Sequence, residues 1–152
     1  MTLEPTMQQA NRPRSIATTL SVAAALLSAG CGALNHPAAP SAFVMKRADV
    51  APVVAPFGEL RKYVDGGATV LLRDVVTGLA ELKPGQEVHP PHQHAEEEYL
   101  YVLSGHGTWH VDGKDSPAET GDLMYTPPWI WHGLTNTGSE PLTFCVFKWA
   151  AK

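Results

Sequence analysis

The sequence predicts an all-β fold, a small barrel of short antiparallel strands, and three observations carry that prediction. Thirteen glycines and thirteen prolines within 152 residues supply many chain reversals. From Ala68 onward, short apolar runs alternate with turn signals, and beyond the N-terminal apolar run no stretch keeps a helical period. The breaks are themselves specific turn chemistry: Lys83-Pro84-Gly85, Ser104-Gly105, Asp112-Gly113 and Asn136-Thr137-Gly138.

Taken from the N-terminus, the elements divide the chain into three parts. Arg12 and Arg14 precede an apolar run from Ile16 to Gly30 that ends at Cys31, the pattern of a secretory signal peptide. The run is too short and too rich in Ala and Ser for a comfortable membrane span of about 20 apolar residues. Leu27-Ser28-Ala29-Gly30-Cys31 also resembles the lipobox of bacterial lipoproteins, with Ser28 where an aliphatic residue is usual. That resemblance implies acylation of Cys31 and an exported protein, periplasmic or membrane-anchored through lipid. Residues 1–31 are thus read as the signal. Residues 32–56, interrupted by Pro37, Pro40, Pro52 and Pro56, read as a tether, although Val50 to Val54 offers an edge strand. Residues 57–152 form the folded domain.

Within that domain the candidate strands are Ala68–Leu72, Val75–Leu82, Tyr99–Leu103, Thr108–Val111, Leu123–Thr126, Ile130–Leu134 and Leu142–Trp149. Leu100 and Val102 share one face of their strand, while Tyr99, Tyr101 and Leu103 make the other face apolar as well, so both faces should be covered. Strands from the N-terminal part of the same chain are one cover; a second copy of the chain, giving a homodimer, is the preferred one.

Charge and cysteine content exclude several functions. A formal net charge of −4 and the lack of a basic stripe argue against nucleic-acid binding. The two cysteines are Cys31, beside the signal, and Cys145, inside the apolar run Phe144-Cys145-Val146-Phe147, which reads as an inert buried thiol. No Ser/His/Asp or Cys/His arrangement suggests nucleophilic catalysis.

What the chain does carry is a set of metal ligands. Side chains alternate along a strand, so His92, His94 and Glu98 share parity and converge on one face, with His132 arriving from a later strand after Pro127-Pro128. Imidazoles and a carboxylate inside a barrel suit a divalent transition metal, because burying them without an ion would leave them unpaired. Of the other histidines, His89 has the wrong parity and reads as a loop residue, His106 and His110 as surface or edge positions, and His36 as part of the tether.

These residues also resemble the two motifs of the cupin superfamily. Gly85, His92-Gln93-His94, Glu98 and Gly105 are similar to the first motif, with six residues rather than five between Gly85 and His92. Gly121, Pro127, His132 and Asn136, at spacings of five, four and three intervening residues, are similar to the second, and fifteen residues separate the two motifs. Trp129 stands where the family usually has Gly.

The resemblance implies a jelly-roll barrel with Mn, Fe, Ni, Zn or Cu held by His92, His94, Glu98 and His132, and a small-molecule substrate or ligand. Two functions of different class follow. One is an exported metalloenzyme of oxygenase, decarboxylase or isomerase type acting on a small oxygen-rich molecule; the other is a metal-dependent binding or sensing protein without turnover. Catalytic residues are not assigned by the sequence; Glu97, Tyr125 and His89 are the candidate acids or bases. Trp131 is read as core packing, and Trp129 as either packing or substrate stacking.

Overall fold

The computed structural model describes residues 41–152; the signal run, the lipobox at Cys31 and His36 lie outside the described residues. A single 3-10 turn, Arg47–Asp49, precedes nine strands. They are β1 (Val53–Ala55), β2 (Gly58–Gly67), β3 (Leu72–Leu82), β4 (Glu97–Ser104), β5 (His106–Val111), β6 (Lys114–Glu119), β7 (Leu123–Thr126), β8 (His132–Thr135) and β9 (Leu142–Ala151). A six-stranded sheet in the order β1-β2-β3-β9-β4-β7 and a three-stranded sheet in the order β6-β5-β8 form the jelly-roll barrel.

Register shows how the large sheet builds its interior. Leu60, Ala80, Phe144 and Val102 are partners across four strands, and Lys62, Gly78, Val146, Leu100 and Met124 form the next inward rung. A third rung carries Asp65, Val76, Lys148, Glu98 and Thr126. The interior therefore grades from apolar to polar along the barrel axis. Ala80, Leu82, Val102 and Leu142 are wholly buried at the apolar end, where each large aliphatic side chain contributes about 1.5–3 kcal/mol.

Turn chemistry sets the loops. Asp112 and Gly113 have φ of 50° and 72°, the two positive values of a type I′ hairpin between Val111 and Lys114. Gly105 has φ of +86°, and a Cβ there would lie 2.7 Å from the Pro141 carbonyl oxygen, so neither conformation nor space admits another residue.

Several elements differ from expectation. Residues 68–71 are not strand: Thr69 closes a turn on Leu72, its N–H donating to the Leu72 carbonyl at 2.9 Å and its hydroxyl accepting from the Leu72 N–H at 3.0 Å. Strands β2 and β6 carry polar sequence that hides them. β6 lies at a sheet edge and is exposed except at Ala118, so the missing N–H of Pro117 is tolerated and no apolar alternation is needed. The tether does contribute an edge strand, β1, paired with β2.

Among the described residues, nothing covers the outer face of the large sheet. Tyr101, Leu103, Leu123, Tyr125 and Phe147 are all exposed there. The N-terminal strands do not cover it, because β1 and β2 extend the sheet at its opposite edge. Cys145 pairs with Tyr101 on this face and is half-buried rather than in the core; burial still raises its thiol pKa, keeping it a poor nucleophile.

Candidate metal centre

Three short segments bring the predicted ligands together. His92 sits in an isolated bridge with His132, where the His92 N–H donates to the His132 carbonyl at 2.9 Å and the reverse bond spans 2.8 Å. His94 follows in the loop before β4, and the Trp129 N–H donates to its carbonyl at 2.8 Å. Glu98 is the second residue of β4. The histidines and Glu98 therefore do not share one continuous strand, as parity alone suggested; a bend at Ala95-Glu96 intervenes, and backbone bonds to the second motif restore the convergence.

Ligand nitrogens of His92, His94 and His132 all lie within 4.8 Å of one another. Glu98 completes the group, with Oε2 at 3.3 Å from His94 Nε2 and Oε1 at 3.4 Å from His132 Nε2. Two tautomers follow from partners that can only accept. The Nδ1–H of His132 donates to the Ile130 carbonyl at 2.8 Å and that of His94 to the Glu96 carbonyl at 3.0 Å. Both Nε2 lone pairs are then left facing Glu98.

Four buried side-chain polar atoms among the described residues lack a hydrogen-bond partner, and three belong here: His92 Nδ1, His132 Nε2 and the Thr126 hydroxyl, which is in register with Glu98. Orphaned buried polar atoms destabilise a fold by about 1–3 kcal/mol each, so their concentration at one point marks a place for a bound group. Imidazole-rich donors with one carboxylate fit a divalent transition ion better than calcium or magnesium.

Electrostatics act differently on the donors. Burial, and then the neighbouring His89, His132 and His94, lower the His92 pKa to about 4, so its ring is neutral at physiological pH. Burial pushes Glu98 upward, but His132, His94 and Lys148 outweigh it and hold the carboxyl below its ordinary value. For His132 burial acts downward, while Glu98 and the Ile130 carbonyl prevail and raise it.

The centre opens into a cavity of about 310 Å³. His89, expected to be a plain loop residue, lines it: its ring meets His92 edge-on with centroids 4.0 Å apart, because Pro90-Pro91 turns the chain back. Lys148 also lines it and was not among the residues singled out from sequence. Glu97 and Tyr125 do not. Both lie on the outer face, the Tyr125 ring tilted against Tyr99 with centroids 4.8 Å apart. Trp131 is 53% exposed, which corrects its assignment to the core, and Trp129 is 63% exposed. Asn136 is fully buried and serves the fold, its amide donating to the Leu82 and Glu140 carbonyls at 2.9 Å each.

Residues 78–148 match the family model described as Cupin domain. The chain is 33% identical over 132 residues to the dimethylsulfoniopropionate lyase DddW of Ruegeria pomeroyi, covering 86% of this chain and 83% of that protein. It is 34% identical over 77 residues to gentisate 1,2 dioxygenase 1 of Aquipseudomonas alcaligenes, which is 50% of this chain and only 22% of the dioxygenase. The crystal structure of a predicted oxalate decarboxylase from Thermotoga maritima superposes with a TM-score of 0.56 at 26% identity, covering 70% of this chain and 98% of that one.

Proposed function

This chain belongs to the cupin family, and on that premise we propose that it is an exported metalloenzyme acting on a small oxygen-rich molecule. The observation that carries the reading is the clustering of unpartnered ligand atoms of His92 and His132 with His94 and Glu98 at the wall of a cavity. These four residues hold the ion. A divalent transition ion there supplies Lewis-acid polarisation, or dioxygen chemistry if it is redox-active. The chain's own contribution is to keep His92 neutral, to present the lone pairs of His94 and His132, and to exclude bulk water with Val146, Phe144 and Leu60. Relatives with oxygenase and lyase names support a small organic substrate.

A second reading, a metal-dependent binding or sensing protein without turnover, is favoured by one observation. Of the three candidate acids or bases, only His89 reaches the cavity. Elemental analysis of the purified domain tests the shared part of both readings: a stoichiometric transition metal is expected in the wild type and none in His94→Ala. Metal retained by that variant would remove the site. Turnover of the cavity's ligand by wild type but not by His89→Gln separates the enzyme from the binding protein.

Two further parts of the proposal concern the surroundings. The exposed aromatic face of the large sheet packs against a second copy, giving a homodimer; a monomer mass in light scattering at micromolar concentration contradicts it. Residues 1–31 direct export and Cys31 carries lipid, placing the domain in the periplasm or on a membrane surface. Unchanged membrane association in Cys31→Ser would dismiss the anchor.

A further inference from the structure

We propose that Lys148 makes the cavity a receptor for a small organic carboxylate with an apolar body, its ammonium pairing with the carboxylate. This rests on the metal-binding reading of the same cavity and names the class of its ligand. The cation stands in the polar rung, between Val76 and Glu98 in register, with its side chain on the cavity wall. It is half-buried, yet among the described residues it makes no ion pair and no hydrogen bond. Lys62, the other cation lining the cavity, is occupied: Asp65 holds it at 3.0 Å on the exposed rim.

Glu98, the cross-strand neighbour of Lys148, feels the charge of the lysine but makes no ion pair with it. Its two oxygens face His94 and His132 at 3.3 and 3.4 Å. Lys62 offsets Asp65, and with a divalent ion in place the ion and Lys148 together outweigh Glu98, so the wall attracts an anion. A half-buried cation without a direct ion-pair partner is unfavourable, and a ligand carboxylate removes that penalty through a charge-assisted hydrogen bond. Beside it on the same sheet, Leu60, Val76, Phe144 and Val146 offer apolar surface. A volume of about 310 Å³ admits a body the size of one ring.

Benzoate and its neutral isostere benzamide test the proposal by calorimetry on zinc-loaded protein of determined metal content. Benzoate should bind at least about tenfold more tightly than benzamide, as one charge-assisted hydrogen bond provides. Lys148→Met should abolish that preference while retaining zinc as well as or better than wild type, since a nearby positive charge is removed. Lys62→Met should leave the preference in place. Equal affinity for the two probes in the wild type, or a full preference in Lys148→Met, overturns the assignment. So does loss of zinc from Lys148→Met with the preference intact, which would make the lysine a support for Glu98. Should Lys148→Met not fold, the wild-type comparison and Lys148→Gln decide. Failure of the metal reading shows separately, as absent zinc before any ligand is added, and the benzoate preference of metal-free protein then judges Lys148 alone.

Discussion

Two rungs of the same sheet, a few residues apart on the same strands, do opposite work. Leu60, Ala80, Phe144 and Val102 form an apolar floor; Asp65, Val76, Lys148, Glu98 and Thr126 form a polar rim. Pairing from β2 through β3 to β9 is regular at the floor, whereas at the rim the register shifts between Lys62 and Val64, between Asp65 and Gly67 and between Arg73 and Val76, so the two differ in local backbone as well as in side chains. The floor carries no unpartnered polar side chain. The rim keeps a buried carboxylate, an unpartnered hydroxyl and an unpaired cation, and so depends on what it binds. One sheet thus holds its stability at one end and its chemistry at the other, with the function concentrated where the fold is least satisfied.

Floor and rim should respond differently to the same treatments. Phe144→Ala at the floor is expected to lower unfolding free energy by about 3–5 kcal/mol. Urea denaturation measures this, and the folded fraction should still bind metal at full stoichiometry. A loss of metal binding in the folded variant would show that floor and rim are not separable.

Next in size is the effect of the ion. At a free concentration a thousandfold above its Kd, the ion should stabilise the wild type by about 4 kcal/mol over chelator-treated protein. His94→Ala should show no such difference. Equal denaturation midpoints with and without ion in the wild type would leave the rim's unpartnered atoms unexplained.

Acidity sharpens the contrast further, because only the rim titrates. In the metal-free protein the His92 ring should titrate near pH 4 in NMR spectra, against an ordinary value of 6.5 in the denatured chain. Between those values the denatured state binds a proton that the native ring refuses, so this group removes stability as pH falls from 6.5 toward 4. His132 acts in the opposite sense. Its raised pKa stabilises the fold fully below 6.5, and that contribution disappears as pH rises through the folded value. A His92 resonance titrating at the ordinary value would contradict the burial that isolates the site.

The smallest effect is expected at the loop beside the rim. Trp129 has φ of 66°, a conformation that a bulky residue adopts only with strain and that glycine adopts freely. Trp129→Gly relieves strain of roughly 1–2 kcal/mol, offset by the greater entropy of glycine in the denatured chain of about 0.5–1 kcal/mol. A net gain of up to about 1.5 kcal/mol is therefore expected from thermal unfolding. A loss would mean that the exposed indole makes contacts that outweigh the strain.

Much of this was legible in the residues. Alternation and turn chemistry located β3, β4, β5, β7 and β9, and the Asp112-Gly113 hairpin took the type I′ conformation its sequence favours. β2 and β6 were not legible, because Lys62, Asp65 and the polar run from Lys114 to Glu119 lack apolar alternation. Their strand character comes from partners already in place. Trp131 and Glu97 show the same limit: an aromatic or an acid near a ligand in sequence need not be near it in space.

By itself the sequence determined the all-β class, the candidate metal-ligand residues at their motif spacings and the turns, since these depend on residue type and local periodicity. Only the tertiary structure decided that Lys148 and His89 enter the cavity while Glu97 and Tyr125 face outward. Which residues share a rung depends on the register between strands far apart in the chain, and a local pattern does not encode that register.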